Sequence, residues 1–288
     1  MEEFNQITKK YQPDYLHEGL SSLDKLNQLA LTFFKDVAAI YDCMARLKNI
    51  ERNPSGFSMD DAPILGLLVR IAKLLGEVVG YYERDKADII SILERPILEA
   101  ATIATFLMLH GPNVILDYRK CSYKDRLRIL RDLEGGSKFL NTKAGQRLLK
   151  SVREKMDIEG FSKDDFDEQK KNRWRLQGRS FYDIFAEVEH AELYAATYGI
   201  MSESIHGSWN ESLDWCLTRQ QDGTYKPNLV SYPADVRFLV PTLNFTITPF
   251  RLWLQRIDCY DENARGLLDW IEKMNTTLFH RFDAMFDE

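Results

Sequence analysis

The chain has 288 residues, of which 44% are hydrophobic and 28% charged, with a formal net charge of −6. That balance describes a globular protein with a real core and excludes a low-complexity or disordered chain. The negative charge argues against broad non-specific binding to nucleic acid and leaves room only for a local basic patch.

Residues 1–18 read as a loose polar lead-in. The first six, Met-Glu-Glu-Phe-Asn-Gln, lack the basic and apolar regions of a signal peptide. Ser21 or Ser22 then caps a first helix, in which Leu26, Leu29, Phe33, Val37, Ile40 and Met44 recur at helical spacing. Asn53-Pro54-Ser55-Gly56 ends it in a turn. A second helix starts near Ser58, with Asp60 and Asp61 in its first turn, and runs to about Tyr82. It is apolar nearly all round, which places it centrally in a bundle.

A third helix spans about Lys86 to His110 and is apolar except for Glu94, Arg95 and Glu99. Arg95 and Glu99 share a face, and Pro96 between them removes a backbone donor. A fourth helix, about Asn113 to Leu133, is basic, with Leu127 and Leu130 inward, and Gly135-Gly136 ends it. Lys143 to Met156 is amphipathic and stops near Gly160. Residues 162–179 change from acidic (Asp164, Asp165, Asp167, Glu168) to basic (Lys170, Lys171, Arg173, Arg175, Arg179), with Trp174 among them. This reads as a self-neutralising connection; the functional alternative is an aromatic-plus-arginine contact for a phosphate-bearing ligand.

Ser180 caps a helix from Phe181 to Glu189, and a further helical stretch follows or continues it. In that stretch Tyr194, Tyr198, Ser202 and His206 are each four residues apart, so they share one stripe, and Gly207 stops the helix. A stripe of hydroxyls ending in an imidazole is not what a core face should carry. Residues 218–230 allow a short hairpin. Pro233 to Ile257 is a long apolar segment kinked or broken by Pro241 and Pro249. The last helix, Glu262 to Phe286, buries Leu267, Leu268, Ile271, Met274 and Leu278.

The expected fold is therefore all-α: a multi-helix bundle with long apolar central helices, forming a single domain over residues 19–288. The four cysteines, Cys43, Cys121, Cys216 and Cys259, form no CxxC pair and read as free thiols in a reducing cytoplasm. The longest strongly apolar run, Pro96 to Leu109, contains Glu99 and is too short to span a bilayer, so no membrane partner is expected.

Common enzyme signatures are absent: no GxxxxGK[ST] loop, GxGxxG, HExxH or GxSxG. Two Glu-x-x-His motifs, Glu187–His190 and Glu203–His206, match part of a two-iron carboxylate pattern. On one continuous helix they stand about 24 Å apart and cannot share a metal pair; only a tight break near His190 would bring them together. No metal or cofactor is expected. Ser202 and His206 face the same way, but a mid-helix serine lacks both strain and oxyanion donors.

Arg95-Pro96-Ile97-Leu98-Glu99, Trp174 and the run from Tyr198 through Ser202 to His206-Gly207 resemble domain-of-unknown-function family 5677, a bacterial family, over roughly residues 60–260. The carrying motifs are R-P-x-x-E and Y-x-x-x-S-x-x-x-H-G. The resemblance implies an all-helical fold and no established activity. Ser202 to Gly207 is also similar to the ending of helical ribonucleases of the HEPN class, found in toxin and antiphage systems. The arginine that those enzymes place four to six residues before the histidine is missing here. Arg95, brought in from another helix, would supply it. His206 would then be the general acid/base and Arg95 would stabilise phosphorane charge.

Two readings stay open. In one, Arg95, Glu99, Tyr198, Ser202 and His206 form a metal-independent site that cleaves RNA or binds a nucleotide in a defence or stress system. Tyr118, Arg119, Trp174 and Tyr194 would contribute to ligand binding, and a homodimer is compatible with it. In the other, the same cluster is a structural polar core of a non-enzymatic interaction module.

Overall fold

The computed structural model describes residues 2–166 and 174–285. Most of the described chain is helical, and a two-stranded antiparallel hairpin is its one sheet. Backbone contacts group the chain into two units, residues 1–109 with 185–288, and residues 110–184.

In the first unit, the expected lead-in is instead two short helices, α1 (Glu2–Lys9) and α2 (Pro13–Gly19). They are tied down by Asp36, whose carboxylate accepts from Lys10 Nζ and the Tyr11 hydroxyl, both at 2.6 Å. Helix α3 (Leu23–Arg46) starts where the sequence places it, with the Ser22 hydroxyl accepting from Lys25 N–H. Its inward stripe of Leu26, Phe33, Val37 and Ile40 is fully buried. Helix α4 covers Ala62–Tyr82 and so begins four residues later than Ser58. Pro63 explains this, because proline fits only the first turn of a helix. Asp61, just outside that turn, accepts from Arg256 Nε at 2.7 Å.

Helix α5 (Ala87–His110) runs unbroken through Pro96. Beyond the second unit, the chain returns through the hairpin of β1 (Leu217–Arg219) and β2 (Tyr225–Pro227), with Thr218 paired to Lys226. Helix α12 (Val236–Arg256) is continuous across both Pro241 and Pro249 and is not broken. It packs beside α13 (Glu262–Ala284) and onto α3. Tyr41 of α3 stacks on Phe250 of α12 at 4.1 Å between ring centres and shares a hydrogen bond with Thr246. Asn275 of α13, fully buried, donates to the Val240 carbonyl at 2.9 Å and to Asn244 Oδ1 at 2.7 Å.

In the second unit, the expected single basic helix is two helices, α6 (Pro112–Cys121) and α7 (Lys124–Glu134). The break falls at Ser122-Tyr123. There Tyr123 turns inward against Phe161 and Phe166, and its hydroxyl donates to the Lys155 carbonyl. Tertiary anchoring of one ring overrides the local helical pattern. Helix α8 (Lys143–Glu159) is capped by Thr142 and ended by Gly160 at φ 70°, a conformation glycine adopts without strain. Leu127, Leu130, Val152, Met156 and Phe166 make the small core of this unit. Of the acid-then-base stretch, residues 167–173 lie outside the described residues. Helix α9 (Phe181–Val188) begins at a reciprocal cap, in which Ser180 Oγ accepts from Asp183 N–H and Asp183 accepts from Ser180 N–H.

Asn275→Ala should lower the stability of the protein by about 1–2 kcal/mol, because it removes a buried donor to the Val240 carbonyl and a part-buried bond to Asn244. Denaturant unfolding checks this; an unchanged midpoint would mean the amide contributes nothing.

Candidate functional site

After α9 the chain breaks over Glu189–Glu192, so Phe181 to His206 is not one helix. Helical structure resumes at Leu193 and passes through a π-turn at Ala195–Gly199 into α10 (Ile200–His206). Gly207 then takes the left-handed conformation at φ 60° and ends the helix. A short turn, α11 (Trp209–Glu211), follows. Single π-turns inside helices occur often at functional sites because they re-aim side chains.

The turn lays Tyr198 against Arg95 of α5. Arg95 Nε donates to Glu99 Oε1 at 3.0 Å and Nη2 donates to the Tyr198 hydroxyl at 2.5 Å. The Tyr198 hydroxyl itself donates to Glu99 Oε1 at 2.9 Å. The remaining arm of the guanidinium, Nη1, lies 3.0 Å from His206 Nε2. Arginine can only donate, so this contact is a hydrogen bond when Nε2 carries its lone pair. Four of the five residues expected at the polar centre therefore meet, across 111 residues of sequence between Arg95 and His206. The Arg95 side chain is 15% exposed and Glu99 is 37% exposed. His206 lies at the surface. The cluster is thus rooted inside and open at the imidazole.

Ser202 differs. Its hydroxyl donates to the Tyr198 carbonyl at 2.6 Å, one turn back on its own helix, and this is the hydrogen bond it makes. It supports the π-to-α junction and makes no hydrogen bond to Arg95 or Glu99. Tyr194 stacks on Tyr198 at 5.0 Å and meets Phe185 edge-on at 5.4 Å, so its ring braces the cluster from behind. Tyr118, Arg119 and Trp174 belong to the second unit. There Arg119 pairs with Glu159 at 2.6 Å and lies over the Phe161 ring.

Burial, first, and then the charge and hydrogen bond of Glu99 push the Tyr198 phenol well above its ordinary range, so it stays a neutral donor. Two further carboxyls, outside the cluster's hydrogen bonds, are pushed upward by burial. Glu94 is buried, and burial pushes its pKa up to about 8, against the opposing hydrogen bond from Thr242 at 3.1 Å. Glu189, in the break before the π-turn, is pushed up to about 7 by burial, opposed by His190. The signal for Glu94 was present: an acid one residue from Arg95 in an apolar helix must point about 100° away, into the core.

The break at His190 is the one that a shared metal site would have needed. Even so, no group of three or more His, Cys, Asp or Glu among the described residues is placed to hold a metal ion. Among the described residues no helix is long and apolar enough to cross a membrane. A cavity of about 1080 Å³ lies elsewhere in the first unit, between the end of α3 and the α12–α13 turn, lined by Met44, Leu47, Cys259 and Trp270 among others. None of the candidate site residues lines it.

The fold and the cluster define an all-helical protein with an arginine–histidine centre. The chain matches the family of unknown function DUF5677 over residues 61–223 and belongs to that family. The matched stretch contains both Arg95–Glu99 and Tyr198–His206. No curated protein matches the chain, and no solved structure matches it.

The Glu94 carboxyl sets a pH dependence. Unfolded, it ionises near its ordinary 4.5; folded, it keeps its proton to about 8. Between those values the native state holds the extra proton, so this group's contribution to stability falls as pH rises through the window. Glu94→Gln keeps an oxygen for Thr242 and cannot ionise. The variant should gain on the parent progressively from about pH 5 to about 8 in thermal melts. Parallel curves for the two proteins would show that Glu94 ionises normally.

Proposed function

We propose that Arg95, Glu99, Tyr198 and His206 form a metal-independent site for phosphodiester cleavage in RNA, of the HEPN-like kind, in a bacterial defence or stress system of the cytoplasm. The observation that carries this reading is the 3.0 Å contact between Arg95 Nη1 and His206 Nε2. It puts a fixed cation and a proton acceptor side by side at the surface. In this reading His206 Nε2 takes the proton of a ribose 2′-hydroxyl. The 2′-oxygen forms its bond to phosphorus, the bond to the 5′-oxygen breaks, and the leaving oxygen is protonated from the imidazole. Arg95 turns its Nη1 donor from His206 to the phosphorane oxygens as charge develops there. Glu99 and Tyr198 keep the guanidinium in place by holding its other two arms. Nucleotide binding without cleavage uses the same groups and is the weaker form of this reading.

A second reading has its own support. Glu99 Oε1 receives both Arg95 and Tyr198, and Arg95 also donates to Tyr198, so three groups satisfy one another. Such a triangle serves equally as a polar lock between α5 and the π-turn in a non-enzymatic interaction module.

His206→Ala and Arg95→Ala separate the two. With a surface imidazole removed, His206→Ala should melt within about 2 °C of the parent while RNA cleavage falls by about a hundredfold or more. Arg95→Ala should lose cleavage and also stability, because it leaves Glu99 and Tyr198 without their cation. Full cleavage by purified His206→Ala protein would refute the catalytic assignment.

A further inference from the structure

The two units carry opposite charge. Residues 110–184 hold eighteen Lys and Arg against twelve Asp and Glu, a net of +6. The rest of the chain holds twenty against thirty-two, a net of −12. The excess in the second unit is concentrated. Gly135 to Arg153 contains five Lys and Arg and no acid, in a chain with 44 acids.

The structure shows how that segment is presented. A short 3-10 turn, Lys138–Asn141, precedes α8. Ser137 Oγ accepts from Phe139 N–H, and the Phe139 carbonyl accepts from both the Thr142 N–H and the Thr142 hydroxyl. The turn is thus held by its own polar side chains, and the Phe139 ring stands 47% exposed with no aromatic neighbour among the described residues. Lys143, Arg147 and Lys150 follow at helical spacing on the face of α8 opposite buried Gly145, Val152 and Met156. All three are exposed, as is Lys138. Lys138, Lys143 and Arg147 have no ion-pair partner among the described residues. Lys150 has only Glu154, at 3.6 Å on the surface.

Cations in the first turns of a helix oppose its dipole, so local stability does not account for Lys143 and Arg147. Protein-binding patches are depleted in lysine at their centres, whereas this one is mostly lysine. The outer face of α8 from Lys143 to Lys150 carries no large apolar side chain, which a membrane-surface helix needs. A line of cations beside one presented aromatic ring suits a flexible phosphodiester strand. The phosphates meet the cations and an unpaired base stacks on the ring.

We propose that Lys138, Phe139, Lys143, Arg147 and Lys150 form a docking surface for single-stranded RNA. This deepens the reading above by naming the substrate class as unpaired strands. It rests on residues of the second unit alone, so the two fail separately.

The test is fluorescence anisotropy with labelled single-stranded polyuridine of about twenty nucleotides, against an RNA duplex of equal length, over a range of salt. The His206→Ala protein is used so that RNA stays intact. The expected result is preference for the single strand. The K143E/R147E variant should bind about tenfold more weakly or worse, with the salt slope reduced by about 1.4, since each lost phosphate contact is worth about 0.7. Phe139→Ala should bind about fivefold more weakly or worse at every salt concentration, with the slope unchanged. K143Q/R147Q, a milder pair, should follow the same direction and guards against misfolding of the charge reversal, with circular dichroism as the check. The proposal is overturned if the parent binds no single strand at low salt. It is equally overturned if the protein prefers anionic vesicles or an acidic protein to RNA, or if the variants bind as the parent does. RNA held through these residues by a parent that never cleaves it would sink the catalytic reading and leave this one. Cleavage of single strands unaffected by these variants would do the reverse.

Discussion

Everything at the candidate site depends on one guanidinium. The Arg95 side chain is 15% exposed, and a buried cation without partners is costly. It is partnered on three sides, by Glu99, Tyr198 and His206. Glu99 lies one turn along the same helix, but Tyr198 and His206 arrive from a segment about a hundred residues away. The π-turn, the break before it and the Gly207 stop therefore belong to one arrangement: they deliver a phenol and an imidazole to a cation fixed on α5. The planar fork of arginine makes this specific. A lysine would offer three donors from a single point and could not reproduce the spread of three separate nitrogens in one plane.

The same arrangement separates support from reactivity. Tyr194 stacks behind Tyr198, Ser202 closes the junction of π-turn and helix, and Tyr198 stays protonated against Glu99. These groups are used up in holding the site. His206 is the most open member of the cluster, and the one described contact of its Nε2 is a donor that can swing to an incoming anion. Glu94, one residue from Arg95 on the opposite side of α5, faces Thr242 in the core and is protonated in the same pH range in which its neighbour is charged. Two adjacent residues of one helix thus take opposite electrostatic roles because the helix turns about 100° between them.

Much of this was legible in the sequence. The apolar spacing of Leu26 to Met44, the serine at position 22 and the glycine at 160 place their elements within a residue or two, because core periodicity and caps are local signals. The Arg95–Glu99 pair was legible from its i,i+4 spacing, and the contact of Arg95 with His206 was anticipated only through the resemblance to helical ribonucleases. What was not legible depends on packing at a distance. Tyr123 splits a basic helix because its ring belongs to the Phe161–Phe166 core. Pro241 and Pro249 fail to break α12 because it is gripped along its length by α3 and α13. The π-turn has no sequence signature, so four residues spaced as an ideal α-helical stripe end in different surroundings: three in the brace and the cluster, and Ser202 on its own backbone.

Arg95 can only donate, so its 3.0 Å contact with His206 favours the ring tautomer that carries its proton on Nδ1. Nitrogen-15 NMR of the histidine ring in the folded protein at neutral pH tests it directly. The account predicts that His206 carries its proton on Nδ1, with Nε2 bare, and that Arg95→Gln abolishes this preference. A His206 ring protonated on Nε2 in the parent, and unmoved by the substitution, would contradict it.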